Sequence, residues 1–320
     1  MQNLTRSLTP SKYSCSPLLF IFIDGVGIGR PDPKINPLFA GNSQVLGFYE
    51  GRQPQTYRDG RLIPTNATLG VEGRPQSATG QTALFTGVNA PAILGRHLNG
   101  FPSQKLKELL KDSIFRKAKQ RGLAVSFANA YRPEYFTEPA QRISATTSAF
   151  QQAGIELRTF DDLRHGNALS HEFTRSLIQS RGYDFEPIEP EAAATHLLNI
   201  FHQCDLLLYE FFMTDVIAHT QSMPDALALL GKLETFLKGV IDGLNSEQES
   251  LLITSDHGNF EDLSTRSHTL NPVPTLVWGP AANFFSVVET PRRGVSTGSE
   301  RPFALTDVGP AILRSLGVSA

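Results

Sequence analysis

The chain has 320 residues, of which 40% are hydrophobic and 19% charged, and its formal net charge is −2. These values are typical of an ordinary globular protein with one large domain, or with a domain that carries an insertion. A nearly neutral chain argues against a nucleic-acid partner, which requires clustered Lys and Arg, and two cysteines, Cys15 and Cys204, argue against a disulfide framework.

The first predicted element is a buried strand over residues 18–23, which are apolar at every position. Residues 1–15 are predicted to be a loosely ordered arm. Asp24 and Gly25 end the apolar run early and no small-residue cleavage site follows, so we expect no signal peptide. No run approaches the ~20 apolar residues of a membrane span. We therefore predict a cytoplasmic protein without a membrane partner.

Helical and strand patterns alternate along the rest of the chain. Residues 30–75 are predicted to be loop with one short helix. Helices are predicted over 105–120, 190–204 and 226–244, with a last helix from near Thr306 to Gly317; strands are predicted over 123–128, 206–212, 251–253 and 274–278. This order predicts an α/β fold, a doubly wound and mostly parallel sheet with helices on both faces.

Residues 134–190 differ in composition from the segments on either side, because they are rich in charged and small residues and poor in apolar runs. We predict a small insertion or cap there, and a core domain made of residues 1–133 and 191–320. Arg164, His165, His171 and Arg175 could form a substrate-facing patch of this insertion, or a solvated helix surface.

Acidic and histidine side chains recur where the predicted strands end: Asp24, Asp215 with His219, and Asp256 with His257. Carboxylate and imidazole are ligands that divalent metals use in catalytic sites. Asp215 and His219 are four residues apart and would share one face of a helix, and His268 could complete their site. A second site could be formed by Asp24, Asp256 and His257, with the Ser77 alkoxide as its fourth ligand.

Ser77 lies at the predicted start of a helix that Gly87 ends. A hydroxyl there is surrounded by free N–H groups that favour an anion. Two cations about 4 Å apart would let Ser77 attack phosphorus and form a phosphoseryl intermediate. Thr79, in the same turn, is the alternative nucleophile. Arg96 and Asn99 could hold substrate phosphate oxygens, or belong to a solvated turn.

Several stretches together resemble the alkaline phosphatase superfamily, and within it the branch of cofactor-independent phosphoglycerate mutases and phosphopentomutases. The matching stretches are residues 22–27, 77–80, 215–219, 254–259, 268–274 and the final helix over 305–317. The resemblance implies one metal at Asp215, His219 and His268, and another at Asp24, Ser77, Asp256 and His257. It also implies zinc or manganese as the ion, with manganese favoured in this branch.

Two departures from that branch bear on the reaction. Gln81 replaces a histidine at the end of the nucleophile turn, and the insertion is much smaller than the second domain of the phosphoglycerate mutases. A small cap shields an intermediate poorly from water, which favours hydrolysis. We therefore expect a phosphomonoesterase or phosphodiesterase acting on a small phosphorylated substrate. The alternatives are a phosphomutase on a sugar phosphate or phosphoglycerate, and a non-catalytic, metal-stabilised protein that binds phosphorylated ligands.

Overall fold

The structure is a computed structural model that describes residues 16–51, 56–138, 142–285, 288–290 and 299–319. The arm predicted at residues 1–15 lies outside the described residues. The strands are β1 (Leu18–Ile23), β2 (Arg61–Thr65), β3 (Val125–Phe127), β4 (Ala130–Tyr131), β5 (Arg158–Thr159), β6 (Leu206–Phe211), β7 (Ser250–Thr254), β8 (Val273–Trp278), β9 (Val288–Thr290) and β10 (Ser299–Arg301).

The helices are α1 (Pro37–Ala40), α2 (Ser77–Thr86), α3 (Ala90–Leu94), α4 (Gln104–Leu110), α5 (Ile114–Gln120), α6 (Glu134–Thr137), α7 (Ala145–Gln152), α8 (Phe160–Arg164), α9 (Ser176–Ser180), α10 (Pro190–Phe201), α11 (Met213–Ala218), α12 (Met223–Gly243) and α13 (Leu305–Ser315). Short 3₁₀ helices lie at Tyr57–Asp59 and Pro280–Phe284.

A six-stranded sheet with the order β2-β8-β7-β1-β6-β3 forms the centre of the fold. The strands β7, β1, β6 and β3 run parallel, whereas β8 pairs antiparallel with β7 and with β2. Two small two-stranded sheets, β9 with β10 and β4 with β5, lie outside it. The prediction of a mostly parallel α/β sheet is confirmed.

Both faces of the sheet are covered, and β1 shows why. Leu18, Phe20 and Phe22 point into a core shared with α2, α5, α7 and α13. The alternate residues Leu19 and Ile21, together with Ile23, point into a second core, shared with α10 and α12. Side chains of a strand alternate between faces, so an entirely apolar strand requires this two-sided burial.

Two predicted segments differ from the structure. The helix expected over 105–120 is two helices, because Ser113 is extended (φ −68°, ψ 156°) and buried and starts α5 anew. Ser and Asp favour such caps over helix interiors. The strand β2, inside the segment predicted as loop, was missed because it contains Pro64. Proline is tolerated at a sheet edge, which is where β2 lies.

The segment predicted as an insertion packs in two different ways. Helix α7 belongs to the core of the sheet, where the Phe150 ring stacks on Phe115 and Phe127 at centroid distances of 4.2 and 4.8 Å. Farther along, Phe160, Leu163, Ala168, Ile178 and Phe185 form a small cluster of their own. The domain boundaries at 134 and 190 stay a prediction.

Across the described ranges, no helix has the length and apolar character needed to cross a bilayer. The cytoplasmic location stays a prediction.

Candidate metal centre

Three neighbouring parallel strands each end at an aspartate. Asp24 follows β1, Asp215 lies in the first turn of α11 directly after β6, and Asp256 follows β7. The strands β7, β1 and β6 are adjacent in the sheet, so their carboxyl ends open into one crevice. The sheet therefore brings together acidic residues that are up to 232 positions apart in the sequence (256 − 24).

The first ligand group consists of Asp215, His219 and His268, whose ligand atoms all lie within 4.8 Å of one another. His219 Nε2 is 3.2 Å from Asp215 Oδ2, and His268 Nε2 is 3.6 Å from Asp215 Oδ1. The other ring nitrogens, Nδ1 of His219 and of His268, face the carbonyls of Arg266 and Pro75 at 2.8 and 2.9 Å. A proton on each Nδ1 would be held by its carbonyl, and Nε2 would then be free to bind a metal.

The second group is arranged around His257 Nε2. This atom lies 3.1 Å from Ser77 Oγ, 3.2 Å from Asp24 Oδ1 and 3.7 Å from Asp256 Oδ1. Ligand atoms of Asp24, Asp215 and His257 also fit within 4.8 Å, so Asp215 adjoins both groups. The rings of His257 and His268 stack at 3.7 Å between centroids, which places the two groups side by side.

The donor atoms of this centre fit divalent cations. Oδ1 of both Asp24 and Asp256 is buried without a hydrogen-bond partner. Within the described ranges, every ion pair of Asp24, Asp215 and Asp256 is to a histidine. Buried carboxylates without compensating cations are costly, and metal coordination is one of the usual solutions.

The electrostatics of the centre lead to the same conclusion. Burial, and then the charges of Asp256 and Asp215, raise the pKa of Asp24 well above its ordinary value. Burial also raises the pKa of Asp256 to about 8. Burial lowers the pKa of His257 to about 3, so its imidazole stays neutral, which is the form that binds metal.

The two candidate nucleophiles lie in different surroundings. Ser77 is the first residue of α2, and its Oγ faces His257. The Thr79 side chain is fully buried, donates to Gln76 O at 3.1 Å and accepts from the Leu98 amide at 3.2 Å. Gln81, one turn farther along α2, donates to Asp256 Oδ2 at 3.4 Å. The structure thus brings Ser77, and not Thr79, to the ligand residues.

A cleft of about 550 Å³ opens over this centre, and Asp24, Ser77 and Asp215 lie in its wall. Of the two residues expected to hold substrate phosphate, Asn99 lines the cleft, whereas Arg96 is exposed and is outside the lining.

Of the four basic residues expected to form a substrate-facing patch, Arg164, His165, His171 and Arg175, His171 alone is among the described lining residues of the cleft. His171 lines the cleft and stacks on Phe212 at 4.4 Å, but the Arg164 guanidinium lies over the ring of Phe185 at 4.9 Å. His165 is exposed beside Asp161. The arginines among the described lining residues are instead Arg132 and Arg181.

A family model described as the metalloenzyme superfamily matches residues 16–320, nearly the whole chain. The protein belongs to the metalloenzyme superfamily. A 2,3-bisphosphoglycerate-independent phosphoglycerate mutase from Desulforudis audaxviator is 27% identical over 154 residues, which are 45% of this chain and 28% of that relative. The chain thus matches little more than a quarter of the length of this curated relative.

Solved structures with similar folds include Leishmania mexicana phosphoglycerate mutase at low cobalt concentration, with a TM-score of 0.55 and 10% identity over 97% of each chain. A mutant alkaline phosphatase from the Antarctic bacterium TAB5 with magnesium bound has a TM-score of 0.51 and 11% identity, over 96% of this chain and 99% of that one. At such low identity the likeness shows the fold alone, and it confirms the predicted alkaline phosphatase-like α/β architecture.

Two buried glutamates near the centre of this metalloenzyme are not among the site residues predicted from the sequence. The Glu261 carboxylate accepts hydrogen bonds from the amides of Gly27 and Asn259, both at 2.8 Å, from Asn271 Nδ2 at 3.0 Å and from Thr269 Oγ1. It thereby holds together the loops that carry Asp24, His257 and His268. Its position two residues after the Asp-His-Gly-Asn motif is the feature of the sequence that could have indicated a role at this centre.

Glu210 is the second, and it lies inside the apolar strand β6. Its Oε1 accepts from Thr146 Oγ1 at 3.1 Å, and the residue lines the cleft. Burial raises its pKa to about 7. A charged residue within a fully buried strand is rare, and this feature of the sequence could have indicated Glu210 as a residue of the site.

Proposed function

We propose that this metalloenzyme transfers phosphoryl groups with two divalent cations, and that it hydrolyses phosphomonoesters or phosphodiesters through Ser77. One observation carries the proposal. The Ser77 hydroxyl lies at the amino terminus of a ten-residue helix, 3.1 Å from His257 Nε2, in a cleft that also exposes Asp24 and Asp215.

The proposed ligands are those that the sequence predicted: Asp215, His219 and His268 for one ion, and Asp24, Ser77, Asp256 and His257 for the other. Carboxylate with imidazole suits manganese or zinc, the two ions to be compared first. Bound there, the cations would lower the pKa of the Ser77 hydroxyl and stabilise the entering and leaving oxygens.

The residues of the chain would then act as follows. Ser77 Oγ, having lost its proton to solvent, attacks phosphorus in line with the ester oxygen. The Oγ–P bond forms as the P–O bond to the alcohol breaks, and the alcohol takes a proton from water. The amides in the first turn of α2 lack helical partners and can donate to phosphate oxygens. A water then attacks the phosphoserine, which releases phosphate and restores Ser77.

Two features support hydrolysis over transfer to a second hydroxyl. The inserted segment is short, and Ser77 itself is only partly buried and lines the cleft, so water has access to a phosphoserine. Intramolecular phosphomutation is the second candidate, because curated relatives that match part of this chain are named phosphoglycerate mutases.

The Ser77→Ala variant tests the nucleophile. Metal-loaded wild-type protein should release inorganic phosphate from a panel of phosphoesters with manganese or zinc, and Ser77→Ala should lose at least 10³-fold of that rate, of the order expected when a nucleophile is removed. Acid-quenched enzyme should carry phosphate on the peptide that contains Ser77, and fragmentation mass spectrometry distinguishes Ser77 from Thr79.

The competing functions give different results in the same assay. Movement of phosphate to another hydroxyl, with free phosphate at background, would establish the mutase. Activity that survives in Ser77→Ala would contradict the nucleophile assignment. Tight binding of phosphorylated ligands by metal-loaded protein without turnover of any ester would favour the non-catalytic function.

A further inference from the structure

Aromatic rings form a large part of the cleft wall away from the candidate metal ligands. Phe101 comes from the turn after α3, Phe127 from β3, Tyr131 from β4, and Tyr135 and Tyr183 from the segment predicted as insertion. Several of these rings also contact each other, with centroids 4.5 Å apart for Tyr131 and Tyr135 and 6.2 Å apart for Phe127 and Tyr131. These rings give the wall a largely apolar surface, with polar side chains such as Asn129 and Ser144 between them in the lining.

The tyrosine hydroxyls in this wall already have protein partners. Tyr131 Oη lies 2.7 Å from Thr147 Oγ1, and Tyr183 Oη donates to Glu134 Oε2 at 2.8 Å. Tyr135 Oη accepts from Gln151 Nε2 at 3.1 Å. With their polar ends engaged, the tyrosines offer mainly their rings to a bound molecule.

On the same wall, positive charge lies at the rim, where the Arg142 guanidinium is 5.8 Å from the centroid of the Phe101 ring. Among the described lining residues, the arginines are Arg132 and Arg181, and both are exposed at the rim. The inner part carries the buried Glu210 instead. A small substrate with several negative charges, such as phosphoglycerate, would need a cationic partner for its carboxylate as well as for its phosphoryl group, and on this wall the carboxylate would meet aromatic rings.

We propose that the cleft binds phosphoesters whose alcohol part carries an aromatic or similarly flat, apolar group. The phosphoryl group lies at Ser77 and the ring lies against the wall of Phe101, Phe127, Tyr131 and Tyr135. This inference deepens the proposed function and rests on phosphoryl transfer at Ser77.

The first test compares benzyl phosphate with ethyl phosphate, whose alcohols are similar leaving groups. Burial of a phenyl ring against the wall should raise kcat/KM for benzyl phosphate about 10- to 100-fold over ethyl phosphate, and 3-phosphoglycerate should be no better than ethyl phosphate. Equal or lower kcat/KM for benzyl phosphate, in an enzyme that does release phosphate, would overturn the inference and leave the proposed function standing.

A variant pair locates the effect. Phe101 is 46% exposed and lies at the rim, so Phe101→Ala should fold normally. It should lower kcat/KM for benzyl phosphate about 5-fold while changing that for ethyl phosphate less than twofold. Phe284 is 39% exposed and outside the cleft lining, and Phe284→Ala is the matched control that should change neither.

Calorimetry with non-hydrolysable ligands tests the inference even if no ester is turned over. Benzylphosphonate should bind manganese-loaded protein about 10-fold or more tightly than ethylphosphonate, and Phe101→Ala should reduce this preference. The absence of phosphate release from every ester would end the proposed function, whereas equal affinity for the two phosphonates would end this inference.

Discussion

At the scale of single residues, Asp256 illustrates why a cation is proposed at this centre. The residue is fully buried, its Oδ1 has no hydrogen-bond partner, and its Oδ2 accepts from Gln81 at 3.4 Å. His257, its neighbour in the chain, is equally buried and places Nε2 toward Ser77 and Asp24.

We therefore expect Asp256→Asn and His257→Ala each to lose one of the two bound metal ions and to abolish turnover. The reason is that each change removes a ligand atom from the group that contains Ser77. Elemental analysis of purified protein measures the loss. The control is His202→Ala, because His202 is an exposed histidine that pairs with Glu249. Full metal content in both variants would refute this assignment of the site.

At the scale of the elements, the centre is formed by loops rather than by the strands themselves. The loop after β1, the loop after β7 and the segment before β8 meet on the Glu261 carboxylate. A carboxylate that accepts four hydrogen bonds can hold such loops in one arrangement, and each bond to a charged group contributes about 1.5–3 kcal/mol.

The Glu261→Gln variant should lower the free energy of unfolding by about 2–3 kcal/mol and also reduce metal content. The glutamine side chain has the shape of the glutamate side chain, but its NH₂ group cannot accept the hydrogen bonds that one carboxylate oxygen accepts. Glu172→Gln is the matched control: Glu172 is buried and accepts from the amides of Thr174 and Leu177, away from the ligand residues. It should lose stability and keep its metal. Unchanged metal content in Glu261→Gln would show that the loops do not depend on this residue.

For the whole molecule, the buried acids make stability depend on pH when metal is absent. Asp256 has a folded pKa of about 8 against an ordinary 3.8, so the folded state binds the extra proton and stability falls as pH rises through this range. His257 has a folded pKa of about 3 against an ordinary 6.5, so its contribution makes stability rise with pH, and this effect is confined to pH values below 6.5. Among these three groups, the two acids alone contribute between pH 6.5 and 8, with Glu210 acting up to about 7.

Chelator-treated protein should therefore lose stability from pH 6.5 to 8, by up to about 1.4 kcal/mol per pH unit for each carboxyl group. Added manganese or zinc should remove this loss, because the cation stabilises the deprotonated carboxylates. Thermal or urea unfolding across this range measures it, and Asp256→Asn should show a smaller loss than wild type. A flat profile for the metal-free wild type would contradict the proposed burial of these charges.

Much of the fold was predictable because the central strands are largely apolar, and β1 is apolar at every position. β1, β6, β7 and β8 stand out from their surroundings, and alternation with helical patterns indicates a parallel sheet. The edge strand β2 was not predictable, because Pro64 argues against a strand. Its pairing with β8, which makes it a strand, is a contact between distant segments. The break between α4 and α5 was missed because apolar spacing continues through it.

The sequence by itself determined which residues could serve a metal centre, because acids and histidines at strand ends meet wherever parallel strands are neighbours. The tertiary structure alone decided that Ser77 rather than Thr79 faces His257, that Arg96 lies outside the cleft, and that Glu261 joins three loops. It also decided that aromatic rings line the cleft. These features are contacts between segments far apart in the chain, which local composition and periodicity do not record.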